Sequence, residues 1–250
     1  MNITKNTILI TGGTSGIGRA LAEFFHQQGN KVIIAGRRQE LLDEIAAANS
    51  GLKGIQLDLS DPDAVDIFAK NIREQYPDLN ILFNNAGISR REDLTSDRVD
   101  LPITRSIIET NIFSVIQLTT ALLPILKQQA ESTIITTTSA LAFVPFAAYP
   151  TYCASKAFLH SWLQSLRFQL RETKVKVLEL APPYVQTELT GPNQATDPYA
   201  MPLTDFISEV TQILSGQAAL QGEILVERVI KDRWAERNDE YEKRFLSHNR

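Results

Sequence analysis

Six short apolar runs rich in β-branched residues, interleaved with stretches carrying apolar residues at helical spacing, constrain this chain more than any other feature. The runs are Thr7 to Ile10, Lys31 to Ala35, Gly54 to Leu57, Asn80 to Phe83, Ser132 to Thr138 and Val175 to Leu180. Their near-continuous hydrophobicity suits strands buried on both faces of a parallel sheet. Helices are predicted over Arg19 to Gln28, Gln39 to Asn49, Asp63 to Gln75, Thr104 to Gln129, Thr151 to Arg171 and Leu203 to Leu214, several of them beginning near Ser, Asp or Pro. Strand then helix, repeated, is the pattern of an α/β chain: a single-domain Rossmann-type, doubly wound parallel β-sheet with helices on both faces. Right-handed crossovers place ligands outside the carboxyl ends of its strands.

A length of 250 residues suits one such domain spanning 1–250. The segment 182–202, rich in Pro, Gly, Asn and Thr, reads as a mobile substrate loop. The segment 223–250 is dense in charge, with Ile224, Leu225, Val229, Ile230 and Trp234 interspersed, and reads as a helical extension packed by one apolar stripe. The net charge of -4, from 25 basic and 29 acidic residues, gives no global attraction to nucleic acid or to an anionic membrane. The single cysteine, Cys153, forms no internal disulfide, and His26, His160 and His248 are scattered, so no metal site is expected. The N-terminal residues lack the apolar core of a signal peptide, and no run approaches roughly 18 consecutive apolar residues. A cytoplasmic location without a membrane span is the expectation.

Directly after the first strand comes Thr11-Gly12-Gly13-Thr14-Ser15-Gly16-Ile17-Gly18, and a helix follows without a break. Glycines let the backbone approach a pyrophosphate, and the free amides of a helix start stabilise its charge. The plainer alternative is a tight strand-to-helix turn. At the end of the second strand, the place where an acidic residue would accept from the adenine ribose holds Gly36, followed by Arg37 and Arg38. Two guanidinium groups there suit a 2′-phosphate, so NADP (NADPH) is predicted over NAD; an ordinary solvated helix start is the alternative.

Tyr152 and Lys156 lie four residues apart at the start of a predicted helix, and so share one face. A phenol with a pKa of about 10 is a poor acid-base catalyst near neutrality, and a nearby ammonium is expected to favour its phenolate. Ser139 ends the fifth strand, where its hydroxyl can hold a substrate oxygen. Asn111 is a polar residue among Ile107, Ile108, Ile112 and Val115. Singly, each is as well explained by a satisfied structural group.

Jointly, the glycine loop and the Asn111, Ser139, Tyr152 and Lys156 set resemble the short-chain dehydrogenases/reductases, from Thr7 to about Leu189. The resemblance implies transfer of hydride between a nicotinamide and a carbonyl or alcohol. Tyr152 would be the general acid or base. Lys156 would lower its pKa and bind the nicotinamide ribose, Ser139 would orient the carbonyl, and Asn111 would hold a relay water. Around the cofactor it implies Gly12, Thr14, Ser15, Gly16, Ile17 and Gly18 at the pyrophosphate, and Asp58 at the adenine edge. Asn85, Ala86 and Gly87 would lie beside the adenine ribose, and Pro182, Val185 and Thr187 near the carboxamide. Asp58 has a second reading, as the cap of a helix beginning near Asp61.

Pro183 stands where the family has glycine, and the usual final strand with a paired-glycine ending is missing. With Ala181-Pro182-Pro183 and the Arg37-Arg38 pair, these departures resemble the DltE-like branch. A homodimer is expected through the helices Thr104 to Gln129 and Thr151 to Arg171, which present Phe113, Ile116, Leu118, Phe158, Trp162 and Phe168. A substrate wall of Leu141, Phe143, Val144, Phe146, Tyr149, Tyr184, Tyr199 and Met201 suggests an apolar or aromatic small molecule. Arg90, Arg91 and Arg98 offer an acidic substrate a partner, against the reading of a solvated loop. The other class of function open to the chain is a catalytically silent nucleotide-binding scaffold or regulatory protein, whose mark would be an eroded Tyr or Lys; neither is eroded here.

Overall fold

The computed structural model describes residues 2–96, 100–216 and 222–249. Strands β1 (Thr7–Thr11), β2 (Lys31–Gly36), β3 (Lys53–Gln56), β4 (Ile81–Asn84), β5 (Ser132–Thr137), β6 (Val175–Leu180) and β7 (Glu223–Ile224) form one sheet in the order β3-β2-β1-β4-β5-β6-β7. All neighbours pair in parallel. The chain starts at β1, moves outward to β3, and returns to β4 on the other side. That reversal opens a crevice at the carboxyl ends of β1 and β4.

Successive strand residues face opposite sides, so each strand feeds two cores. On one side Ile8, Ile10 and Ile34 meet Leu21 and Phe25 of α1 (Gly16–Gln27), Leu42 of α2 (Gln39–Ala48) and Phe206 of α7 (Leu203–Ser215). On the other, Leu9, Ile33, Leu82 and Ile134 meet Phe68 of α3 (Pro62–Gln75), Leu122 of α5 (Ser114–Gln128) and Leu163 of α6 (Pro150–Gln169). Burial of each such side chain contributes about 1.5–3 kcal/mol of transfer free energy, which is why a sheet of short strands suffices.

The expected helix Thr104 to Gln129 is three pieces: α4 (Leu101–Ile108), a π-helical turn Glu109–Phe113, and α5. The start moves upstream because the Asp100 carboxylate accepts from Ile103 N at 3.2 Å, with Pro102 in the first turn. The π turn carries Asn111, whose side chain bonds the backbone of Ile88 on the neighbouring loop. By length and composition alone, Leu101–Gln128 suits a membrane span. Its Leu118, Leu122 and Leu126 are buried in the second core, which is the packing of a core helix.

The expected loss of the last strand is corrected. Glu223 and Ile224 pair with Glu179 and Leu180, and Glu179 N donates to Gly222 O at 2.9 Å. The strand ends after two residues because Val226, at φ -73° and ψ 157°, already leads into α8 (Glu227–Arg233), which α9 (Tyr241–His248) follows. The segment 182–202 closes on itself. Gln186 N donates to Met201 O, Met201 N to Tyr184 O, and the buried Gln194 amide to Val185 O at 2.7 Å.

Candidate active site

The carboxyl ends of β1, β4, β5 and β6 and the first turns of α1 and α6 enclose a cleft of about 440 Å³. At one end lies the glycine loop. Gly12 and Gly16 have φ of +69° and +54°, where an L side chain is strained. A Cβ on Gly12 would also lie 2.9 Å from Ala86 Cα, and one on Gly18 would collide with Gly12 O and the Asn85 amide. Ser15 gives α1 no side-chain cap, so the first amides of that helix open into the cleft. This donor set, in a turn where backbone comes against backbone, fits the pyrophosphate of a dinucleotide.

The two arginines after β2 are not equivalent. Arg38 Nη2 donates to Thr14 Oγ1 at 3.0 Å and to Ser15 Oγ at 3.1 Å, which folds its guanidinium over the loop. Arg37 is exposed at the cleft rim near Asp58. Gly36 leaves no room for an acidic side chain without displacement, because a Cβ there would meet Thr14 Cγ2 at 3.1 Å.

Asp58 does not cap α3. Asp61 does, accepting from Ala64 N at 3.1 Å. Asp58 Oδ1 instead accepts from the Ser60 amide and hydroxyl, and these bonds, with the nearby Arg37 charge, hold its carboxyl below the usual range. Asn85 ties strand ends together: its amide donates to Thr11 O, and its carbonyl accepts from Thr137 Oγ1. Ala86 N donates to Thr11 Oγ1, and Gly87 lies between Asn111 and Lys156, both 3.4 Å from where its Cβ would stand. Pro182, Val185 and Thr187 line the opposite wall, and Thr187 packs over Gly16.

At the inner end, Tyr152 and Lys156 project from the first turns of α6, 7% and 3% exposed. The Ser139 side chain lines the same end of the cleft and favours the Tyr152 phenolate. Ser139 Oγ accepts from Leu141 N at 3.1 Å, fixing its rotamer. Lys156 Nζ donates to Thr137 O at 2.8 Å. Asn111 accepts from Ile88 N and donates to Ile88 O and to Ser155 Oγ, which in turn donates to Tyr152 O. The predicted four residues therefore meet in one place.

Their electrostatics correct one expectation. Burial pushes the Tyr152 phenol up to about 12, against the lowering effect of Ser139. Burial also brings the Lys156 ammonium down to about 8. In the protein alone desolvation outweighs the ammonium 5.7 Å from the Tyr152 ring. The Tyr152 phenol is therefore neutral at pH 7.

Sequence reasoning missed the Thr137 carbonyl, Ser155 and Gln194, because backbone acceptors and distant partners carry no local signal. It also misassigned part of the substrate wall. Val144 and Met201 are buried in the core, Phe143 packs against it, and Tyr199 is exposed. Arg90 lines the cleft, its guanidinium bonded to Ser89 O; Arg98 lies outside the described residues. Cys153 is a buried free thiol between α6 and the Phe146 backbone.

A parallel sheet with a glycine-lined dinucleotide cleft and a buried Tyr-Lys pair defines a nicotinamide-dependent oxidoreductase. The sequence profile of the short chain dehydrogenase family matches residues 6–198. The uncharacterized oxidoreductase DltE of Bacillus subtilis (strain 168) is 39% identical over 251 residues, covering 100% of this chain and 98% of that protein. The closed form of serine dehydrogenase complexed with NADP+ superposes with a TM-score of 0.76 at 28% identity, over 84% of this chain and 89% of that one. A short chain dehydrogenase/reductase from Burkholderia phymatum in complex with NAD has a TM-score of 0.83 at 22% identity, over 97% and 96%. The chain belongs to the short-chain dehydrogenase/reductase family, in its DltE-like branch.

Proposed function

We propose that the protein is an NADPH-dependent reductase of a small carbonyl compound. The observation that carries this reading is the neutral, buried Tyr152 phenol beside Ser139, one helical turn from Lys156, in the glycine-lined cleft. NADPH, when bound, supplies the hydride. The protein positions and protonates. Tyr152 gives its proton to the carbonyl oxygen while Ser139 holds that oxygen, which suits reduction better than alcohol oxidation, since oxidation would need the phenolate that burial disfavours. Lys156 holds the nicotinamide ribose. Asn111 spends both amide hydrogens on protein, but its Oδ1 keeps a lone pair for the relay water beside Lys156. Leu189 at the cleft and Tyr184 on the same loop support an apolar or aromatic substrate.

The NADP preference rests on Gly36, the exposed Arg37 and the tethered Arg38. A charge-assisted contact to phosphate contributes about 1.5–3 kcal/mol, so Arg37→Ala should cut the preference for NADPH over NADH by about ten- to a hundredfold. Titration by nicotinamide fluorescence needs no substrate. An unchanged preference would remove Arg37 from the phosphate site, and failure of both nucleotides to bind would favour a silent scaffold.

A homodimer belongs to the same reading. Phe113, Phe158 and Phe168 are 55%, 45% and 67% exposed around α5 and α6, whereas Leu118, expected with them, is a core residue. Light scattering at micromolar concentration should give twice the mass of 27.9 kDa; monomer alone would refute the dimer.

A further inference from the structure

Three side chains on one face of α6, Tyr152, Lys156 and His160, follow one another at intervals of four residues. Each faces one of three consecutive residues, Thr137 to Ser139, at the end of β5 and just after it. Tyr152 meets the Ser139 side chain, and Lys156 Nζ donates to Thr137 O. His160 reaches Thr138 through Glu179: His160 Nδ1 lies 2.7 Å from Glu179 Oε2, and Thr138 Oγ1 donates to Glu179 Oε1, also at 2.7 Å. Glu179 is fully buried. The Gln164 amide donates to His160 Nε2 at 2.7 Å, which leaves the ring proton on Nδ1, aimed at Glu179. Phe143 packs edge-on against the imidazole.

Beside this chain, Glu223 stands next to Glu179 across the β6 and β7 pairing. Arg233 binds both Glu223 oxygens at 2.8 and 2.9 Å, so the Glu223 charge is paired where it stands beside Glu179. Burial works against the Glu223 charge, yet the Arg233 bonds, with the charges of Arg233 and Arg167, keep its carboxyl low. His160, Glu179 and Glu223 offer ligand-type atoms within 4.8 Å of one another. All are already engaged by protein partners, so they read as a hydrogen-bond chain rather than a cation site.

We propose that His160, Glu179 and Thr138 are positioning residues that lock the catalytic helix in register with Thr137 to Ser139, and so hold Lys156 in its buried place on the Thr137 carbonyl. The inference rests on the reductase reading only for what Lys156 then serves. A buried carboxylate that has lost one partner seeks another or draws in water. Removing either end of the bridge therefore loosens α6 where Lys156 is anchored.

The test uses the full chain with isotopically labelled lysine, following the Lys156 resonance by NMR against pH, together with NADPH fluorescence titration. His160→Leu and Thr138→Val should raise the Lys156 titration midpoint by about one pH unit as the ammonium gains water. They should also weaken NADPH binding by about fivefold. His160→Asn, which puts an amide nitrogen at the Nδ1 position, and Thr138→Ser should restore both readouts. An unchanged Lys156 midpoint in folded His160→Leu or Thr138→Val overturns the proposal, as does a failure of the conservative variants to restore it. If wild-type protein binds no NADPH, the reductase reading falls while the Lys156 midpoint still decides the bridge.

Discussion

Tyr152→Phe should lower kcat by about 10³-fold on any carbonyl that the wild-type protein reduces with NADPH, the usual scale for loss of a positioned general acid. One oxygen is deleted. The ring stays in its buried slot, 7% exposed, and Lys156 keeps its bond to Thr137 O, so NADPH affinity should hold within about threefold. Stopped-flow kinetics and fluorescence titration on the same preparation separate the two quantities. A variant that keeps more than about a tenth of the wild-type kcat would take the acid role from Tyr152. A variant that loses NADPH binding equally would turn the residue into a binding group.

Lys156→Met should make the protein more stable and inactive at once. A lysine pKa lowered from 10.5 to about 8 corresponds to about 3 kcal/mol of cost for keeping a buried ammonium charged at neutral pH. Methionine fills similar space without charge but gives up the bond from the charged Nζ to Thr137 O, which returns about 1.5–3 kcal/mol. A net gain of up to about 1.5 kcal/mol at pH 7 raises Tm by up to a few degrees. The sign of the pH dependence follows from the lowered pKa. The unfolded lysine binds more protons than the folded one between about pH 8 and 10.5, so wild-type stability gains on the variant across that window. Below pH 8 the variant's full advantage persists. Thermal unfolding of both proteins from pH 7 to 10 checks this, and a gap independent of pH would mean that the Lys156 ammonium carries no desolvation cost. Turnover should fall at least about a hundredfold.

Much of this was legible beforehand. Strands such as Thr7–Thr11 and Ile81–Asn84 were readable because residues buried on both faces leave a near-continuous apolar run. The glycine loop and the Tyr152-Lys156 pair were readable because a backbone turn and a helical face impose local spacing. Lys156 on the Thr137 carbonyl, and the chain from His160 through Glu179 to Thr138, were not. Their partners stand 19 and 41 residues apart, and one of them is a backbone atom without side-chain identity. The π turn at Asn111 escaped as well, since Asn111 bonds Ile88, a partner 23 residues away on another loop. Val144, Met201 and Leu118 looked like surface or pocket residues because hydrophobicity alone does not say which neighbour covers a side chain.

By itself the sequence determined the α/β alternation, the dinucleotide loop and the residue types of the candidate site, all of which rest on periodicities and turns encoded within a few residues. Only the tertiary structure decided that Arg38 is tethered to Thr14 and Ser15 while Arg37 stands exposed at the cleft rim, that β7 exists as two residues, and that burial raises the Tyr152 pKa. Those outcomes depend on burial and on partners brought from distant segments. The free energy of a charge or a hydrogen bond is set by its surroundings in space, and no local pattern carries that information.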